Sequence, residues 1–169
     1  MAEVNLSSIG QAIKNTITGV IRGAGDIVES IIEASVDIFR TAVSGSADVA
    51  TATAEAARDI VSGVVHAVSE SGQDVAEAAS DMVRGTVHAA HRAGADVIQV
   101  SVESVKQVVG EAGETGADTS KALENAVNGA IDAAAEISSE TADKVKDALS
   151  RSVDGAREVI EQREQKQNQ

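Results

Sequence analysis

The residues able to carry chemistry are few, and their placement argues against it. His88 and His91 stand three apart, a spacing that puts two imidazoles on one helical face where they could ligate a metal. His66 is the same residue one 22-residue step before His88. Arg84, His88, His91 and Arg92 form a basic island able to dock an anion or a partner carboxylate, and on a solvated face they read as charge balancing. Acid–base work needs carboxyls converging in an apolar pocket, whereas many here return at a fixed interval, as a ladder expected to face water. Gly110, Gly113 and Gly116 lack the preceding strand and the following Lys-Ser or Lys-Thr of a phosphate-cradling loop, so a turn is expected there. Without cysteine there is no thiolate metal site and no disulfide. The chain is expected to have no catalytic residue, no metal and no cofactor, and not to be an enzyme.

The elements that carry these residues follow from a repeat. Written in rows of eleven from Met1, the sequence keeps one phase through Gln165 with no insertion or deletion. The fourth column is the ladder: Asp26, Asp37, Asp48, Asp59, Glu70 and Asp81 stand in consecutive rows. Columns five, six, nine and ten hold 33 of the 42 Val, Ile, Leu, Met and Phe residues, where simple proportion would place about 15. Eleven residues make three helical turns, so each column keeps its direction and the apolar columns gather on one side of a helix. A strand would need sustained alternation, and there is none. A 22-residue repeat lies on top, with Asp59-Ile-Val-Ser-Gly-Val-Val-His-Ala67 answered by Asp81-Met-Val-Arg-Gly-Thr-Val-His-Ala89 and with Gly72-Gln-Asp, Gly94-Ala-Asp and Gly116-Ala-Asp recurring, which reads as tandem duplication.

The pattern predicts an all-α chain of long amphipathic helices, arranged as one extended helix, a helical hairpin or bundle, or a right-handed coiled coil. Residues 1–162 form a single repeat region with turn candidates near 44–46, 69–74 and 110–118, and residues 163–169 read as a polar tail that frays. Unbroken, the helix would run roughly 250 Å.

Composition narrows the function classes. The chain has one aromatic residue, Phe39, no proline, and a formal charge of −13. Ala and Val supply most of its apolar content, a thin supply for an enzyme core or a ligand pocket. The acidic surplus repels nucleic acid and anionic membranes alike. No uncharged stretch approaches the roughly 20 residues of a membrane span, and the first residues do not read as a signal peptide. A cytoplasmic location is expected, with peripheral attachment to a lipid or granule surface.

A lone helix with such a stripe is not stable in water, so ordering is coupled to covering it. The cover is lipid or another hydrophobic surface, the chain's own other segments, or copies of itself. The face is represented by Ile17, Val20, Ile27, Val28, Ile31, Phe39, Ile60, Val64, Val83, Val97, Val105 and Val108, and it is most strongly apolar up to about Val43. Val28→Asp with Ile31→Asp is expected to abolish binding or assembly.

The eleven-residue rows of Gly, Ala, Val, Thr and Ser, as in Val61-Ser-Gly-Val-Val-His-Ala-Val68, resemble the lipid-surface repeats of perilipins and synucleins. The nested 22-residue units are similar to exchangeable apolipoproteins, which are punctuated by the proline this chain lacks. The resemblance implies a protein that coats or docks on a hydrophobic surface, and the acidic polar face directs that expectation to a neutral surface such as a lipid droplet or storage granule. A second expectation is a self-assembling helical scaffold, or a tether holding a larger complex at a membrane, since Ala, Gly and Val let helices approach closely. A third is a desiccation protectant, because the period also resembles late-embryogenesis-abundant proteins.

Overall fold

The structure, a computed structural model, describes residues 6–45 and 47–169. The described residues form eight α-helices and no strand: α1 Ser8–Arg22, α2 Ile27–Gly45, α3 Val49–Glu70, α4 Val75–Ala93, α5 Val97–Glu114, α6 Thr119–Ile137, α7 Ser139–Ser152 and α8 Ala156–Gln167.

Local chemistry sets the helix ends. Asp74, Asp96 and Asp118 each accept first-turn amide hydrogens, as from Ala76 at 2.8 Å, Ile98 at 3.0 Å and Ser120 at 3.0 Å, and so satisfy donors that a helix start leaves open. Two residues before each stands a glycine in the left-handed region, Gly72, Gly94 and Gly116, with φ of +78°, +77° and +79°. That conformation closes the preceding helix with paired backbone bonds, Gln73 N–H to the Val68 carbonyl and Gly72 N–H to that of Ser69, both 3.1 Å. Gly-x-Asp is therefore a stop and a start in three residues. The first turn uses the same bonds with a less suited residue, since Ala24 takes φ +55° while Asp26 caps α2 through Val28 at 3.0 Å.

Two of these turns fall inside the candidate segments 69–74 and 110–118 and occupy only part of each. Helix α5 continues through Gly110 and Gly113, and the chain reverses only at residues 115–118. The expected turn at 69–74 lies at 71–74, and α2 ends at Gly45 with Ser46 outside the described residues. Reversals at 23–26 and 94–96 and breaks at Ser138 and 153–155 were not anticipated. Residues 163–167 belong to α8 rather than to a frayed tail, because Arg163 reaches Asp132 at 2.6 Å and Asn128 at 3.2 Å on α6 while Ile160 is buried below it.

Among the described residues, each helix packs on the two helices before it and the two after it in the chain, and on no others. The helices therefore stack in two layers, α1, α3, α5 and α7 in one and α2, α4, α6 and α8 in the other, the arrangement of a helical solenoid. In the middle of the array, neighbours within a layer run parallel at one offset. In α3 and α5, Ala50 meets Gln99 and Ser62 meets Glu111; in α4 and α6, Ala76 meets Asn125, each pair 49 residues apart.

Small residues set how closely the layers are built. Gly63 of α3 lies on the Gly10 carbonyl and Ile13 of α1; a Cβ on Gly85 of α4 would stand 2.8 Å from the Ile31 Cβ of α2; one on Gly129 of α6 would stand 2.6 Å from the Ser80 carbonyl of α4. Backbones this close leave no room for a methyl group. The core between the layers is mostly Ala, Val and Ile, with Phe39 its largest member.

Candidate docking site

The apolar stripe is this chain's own core over most of its length. Ile17, Ile31, Phe39, Ile60, Val64, Val83, Val105 and Val108 are fully buried, and Val20, Ile27, Val28 and Val97 are half-buried. Of the three covers open to the stripe, the one present in the structure is the chain's other segments. Because Ile31 lies against the Gly85 backbone, Asp at that position would test folding before it tested binding.

Cover is incomplete in two places, along α5, where Val97, Ile98, Val102 and Val109 are half-buried, and over both helices of the first pair. In α3 every Ile and Val from Ile60 to Val68 is fully buried. In α1 and α2 only five of the thirteen large apolar residues are buried, namely Ile13, Ile17, Ile31, Ile32 and Phe39; Ile9 is 37% exposed and the rest are half-buried. Between the two helices runs a groove of about 420 Å³, lined by Ala12, Ile13, Thr16 and Val20 of α1 and by Ser30, Glu33, Ala34 and Ile38 of α2. Ala12, Thr16 and Val20, like Ser30, Ala34 and Ile38, are spaced four apart, so each trio forms a row along its helix. Of the groove residues only Val20 was marked by the sequence. The others are ordinary members of their columns, and what distinguishes them is their place at the edge of the stack.

A second feature interrupts the stack. Gly63, Gly85 and Gly129 lie at multiples of 22 residues, and the fourth member of that series is Gln107, on α5. One turn on, the series Ala67, Ala89 and Ala133 is broken by Glu111. Glu111 is 7% exposed, yet it carries a carboxyl group between α3 and α5. Its Oε1 accepts from Ser62 Oγ and from Gln107 Nε2 at 3.1 Å, and its Oε2 has no hydrogen-bond partner. Burial pushes the Glu111 carboxyl above its ordinary value, against the opposing pull of the Ser62 and Gln107 hydrogen bonds and the nearby His66. Beside this seam an open cleft of about 450 Å³ is lined by Leu6, Ser7, Glu55, Arg58, Asp59, Ser62 and Gln107. Burial also raises the Asp59 carboxyl, opposed by a hydrogen bond with Ser7. The water-facing ladder is thus only partly so: Asp59 and Glu103 are half-buried, and Asp26 and Asp48 cap helices. The breaks at 107 and 111 were readable as departures from the repeat.

The basic island is structural in its contacts. Glu136 of α6 receives Arg84 at 3.0 Å and His88 Nε2 at 2.7 Å, and Arg92 approaches Glu29 of α2 at 3.9 Å, while His91 is exposed. His66 makes a 2.7 Å contact through Nδ1 with the Ser62 carbonyl. Among the described residues no three His, Asp or Glu side chains are grouped to hold a metal, and no helix is long and apolar enough to cross a membrane.

Comparison with known protein families and with curated proteins gives no match.

Proposed function

We propose that the protein is a non-enzymatic helical scaffold that docks end-on, through the apolar groove of α1 and α2, on a hydrophobic partner surface. The observation that carries this reading is the uneven burial of one continuous stripe: fourteen of the twenty-one large apolar residues of α3 to α6 are buried, α5 being the most open of these at three of seven, against five of thirteen in α1 and α2. An array whose terminal unit presents apolar side chains to water gains by covering them, whereas an array closed at both ends by polar helices does not. The acidic flanks keep the remaining surface in solution.

Ala12 is exposed and Val20 half-buried, so Ala12→Glu with Val20→Glu places two charges in the groove while leaving the core intact. Flotation with a phosphatidylcholine-coated triolein emulsion and native mass by light scattering would be read on both proteins. Docking predicts association in at least one assay for the wild type, and its loss in the variant with helicity unchanged. No association in either assay, or association indifferent to the two charges, would sink the proposal.

A second reading has its own support. The residues that cover one another between the layers are the columns that resemble lipid-surface repeats, and a core made mostly of Ala, Val and Ile holds few large anchors. On that reading the array opens and its stripe spreads on a neutral lipid or granule surface. It requires low helicity in dilute buffer and a steep rise with lipid.

A further inference from the structure

The geometry points to a second copy of this chain as the occupant of the α1–α2 groove, giving a head-to-head dimer about a two-fold axis. This inference rests on the end-docking reading and names its partner. Within the array the equivalent space is always filled by the same kind of object: α2 packs on α3 and α4, and α4 packs on α5 and α6. What fits such a groove is therefore an amphipathic helix with small apolar residues at four-residue spacing. Rows at that spacing, of small residues with a larger apolar one at the end, line this groove on both sides, Ala12, Thr16 and Val20 on α1 and Ser30, Ala34 and Ile38 on α2.

Charge selects which surfaces of two copies can meet. Residues 47–138 hold fifteen acidic and five basic side chains, a net −10, so flank-to-flank contact sets like charge against like. Residues 8–45 hold four acidic and three basic, and residues 139–167 hold seven and six, so both ends are close to neutral. The second end is closed to a hydrophobic partner. Its outer helix, α8, turns Arg157, Glu158, Glu161, Gln162 and Glu164 to water and keeps Ala156 and Ile160 inside. Head-to-tail stacking would press that face, three carboxylates with one guanidinium, onto a groove whose one charged lining residue is Glu33, so that mostly like charges would be desolvated together. Joining α1–α2 to α1–α2 is left, and because it uses the same patch on both copies it closes at two.

The test uses the full chain. Light scattering across a concentration series should show the mass rising from 17.2 kDa to twice that value. Ala12→Glu with Val20→Glu should hold it at the monomer mass with unchanged far-UV circular dichroism. Because the chain has no cysteine, a single spin label can be placed at Thr16→Cys in the groove or at Gln162→Cys on α8. The groove label should report one intermolecular distance, and the α8 label none within range. A wild type that stays monomeric at every concentration overturns the second-copy assignment. Flotation of that monomer, abolished by the two groove charges, would leave the docking end standing with lipid as its partner; no flotation would remove both. A dimer that persists in the charged variant, or that brings the α8 labels together, also overturns the inference.

Discussion

Helices α1 and α2 hold thirteen large apolar side chains and six charged ones, whereas α7 and α8 hold four and twelve. At the second end the apolar residues are spent inward: Val145, Leu149 and Ile160 are buried, and Arg163 is tied across to Asp132 on α6. At the first end eight of the thirteen remain open to water in part. A helical array needs a polar outer face wherever it stops in water. Among the described residues one end has such a face and the other does not, and that difference is what the end-docking proposal rests on.

The first end is loosened most at the seam that holds α2. A Cβ on Gly85 would meet the Ile31 Cβ at 2.8 Å, an atom fixed to its backbone, so Gly85→Ala should cost about 3 kcal/mol. Native-state hydrogen exchange would place the loss in α2 and α4, with α7 and α8 still protected. The matching change at the other end is Gly155→Ala. It forces φ +83° on a residue with a Cβ, but the side chain it meets, the Leu123 methyl, can move, so a loss of about 1–2 kcal/mol is expected. If the two variants loosened the same helices, the ends would not be independent parts.

Between the ends, the seam at Glu111 supplies a pH signature. Its folded-state value is raised by burial, so its contribution is favourable below the ordinary carboxylate range and is lost as pH rises through the raised value. The Glu111 contribution to wild-type stability should therefore fall as pH rises above the ordinary carboxylate range. Glu111→Gln should flatten that fall and gain about 1 kcal/mol at neutral pH, as read in urea melts, because the charge that must be desolvated is gone. A melt midpoint with the same pH slope in both proteins would show that Glu111 is not the group responsible.

The smallest effect sharpens the apolar end itself. Ala24 occupies the left-handed position that glycine fills at 72, 94 and 116. Ala24→Gly should stabilise the α1–α2 connection by about 1 kcal/mol without altering docking. Thermal unfolding and native mass would check the two halves of that statement.

How much of this is legible in the sequence depends on which interaction decides each feature. Helix formation and the buried side of each helix are written in the eleven-residue columns, because those depend on periodicity alone; Ile60, Val64, Val83 and Val105 face inward as their columns predict. The turns are not written there. A helix with its turn occupies about two rows, as between Asp74, Asp96 and Asp118, so the phase passes through a reversal undisturbed. Glycine does not give them away either: Gly94 sits at φ +77°, Gly129 lies against another backbone, and Gly110 is helical with open space around it, so one residue type serves three purposes. The groove was unreadable for a different reason. Ala12, Thr16 and Ser30 resemble their counterparts elsewhere in the repeat, and only their position at the edge of the stack leaves them open. The seam was within reach, since Gln107 and Glu111 interrupt series otherwise made of glycine and alanine.

If the chain's own helices cover the stripe, helix formation does not depend on lipid. Far-UV circular dichroism of dilute protein before and after adding neutral-lipid emulsion tests it most directly. Strong helicity in buffer alone, unchanged by emulsion, is the expected result. A weak helical signal that rises steeply with emulsion would contradict it and make lipid the cover of the whole stripe.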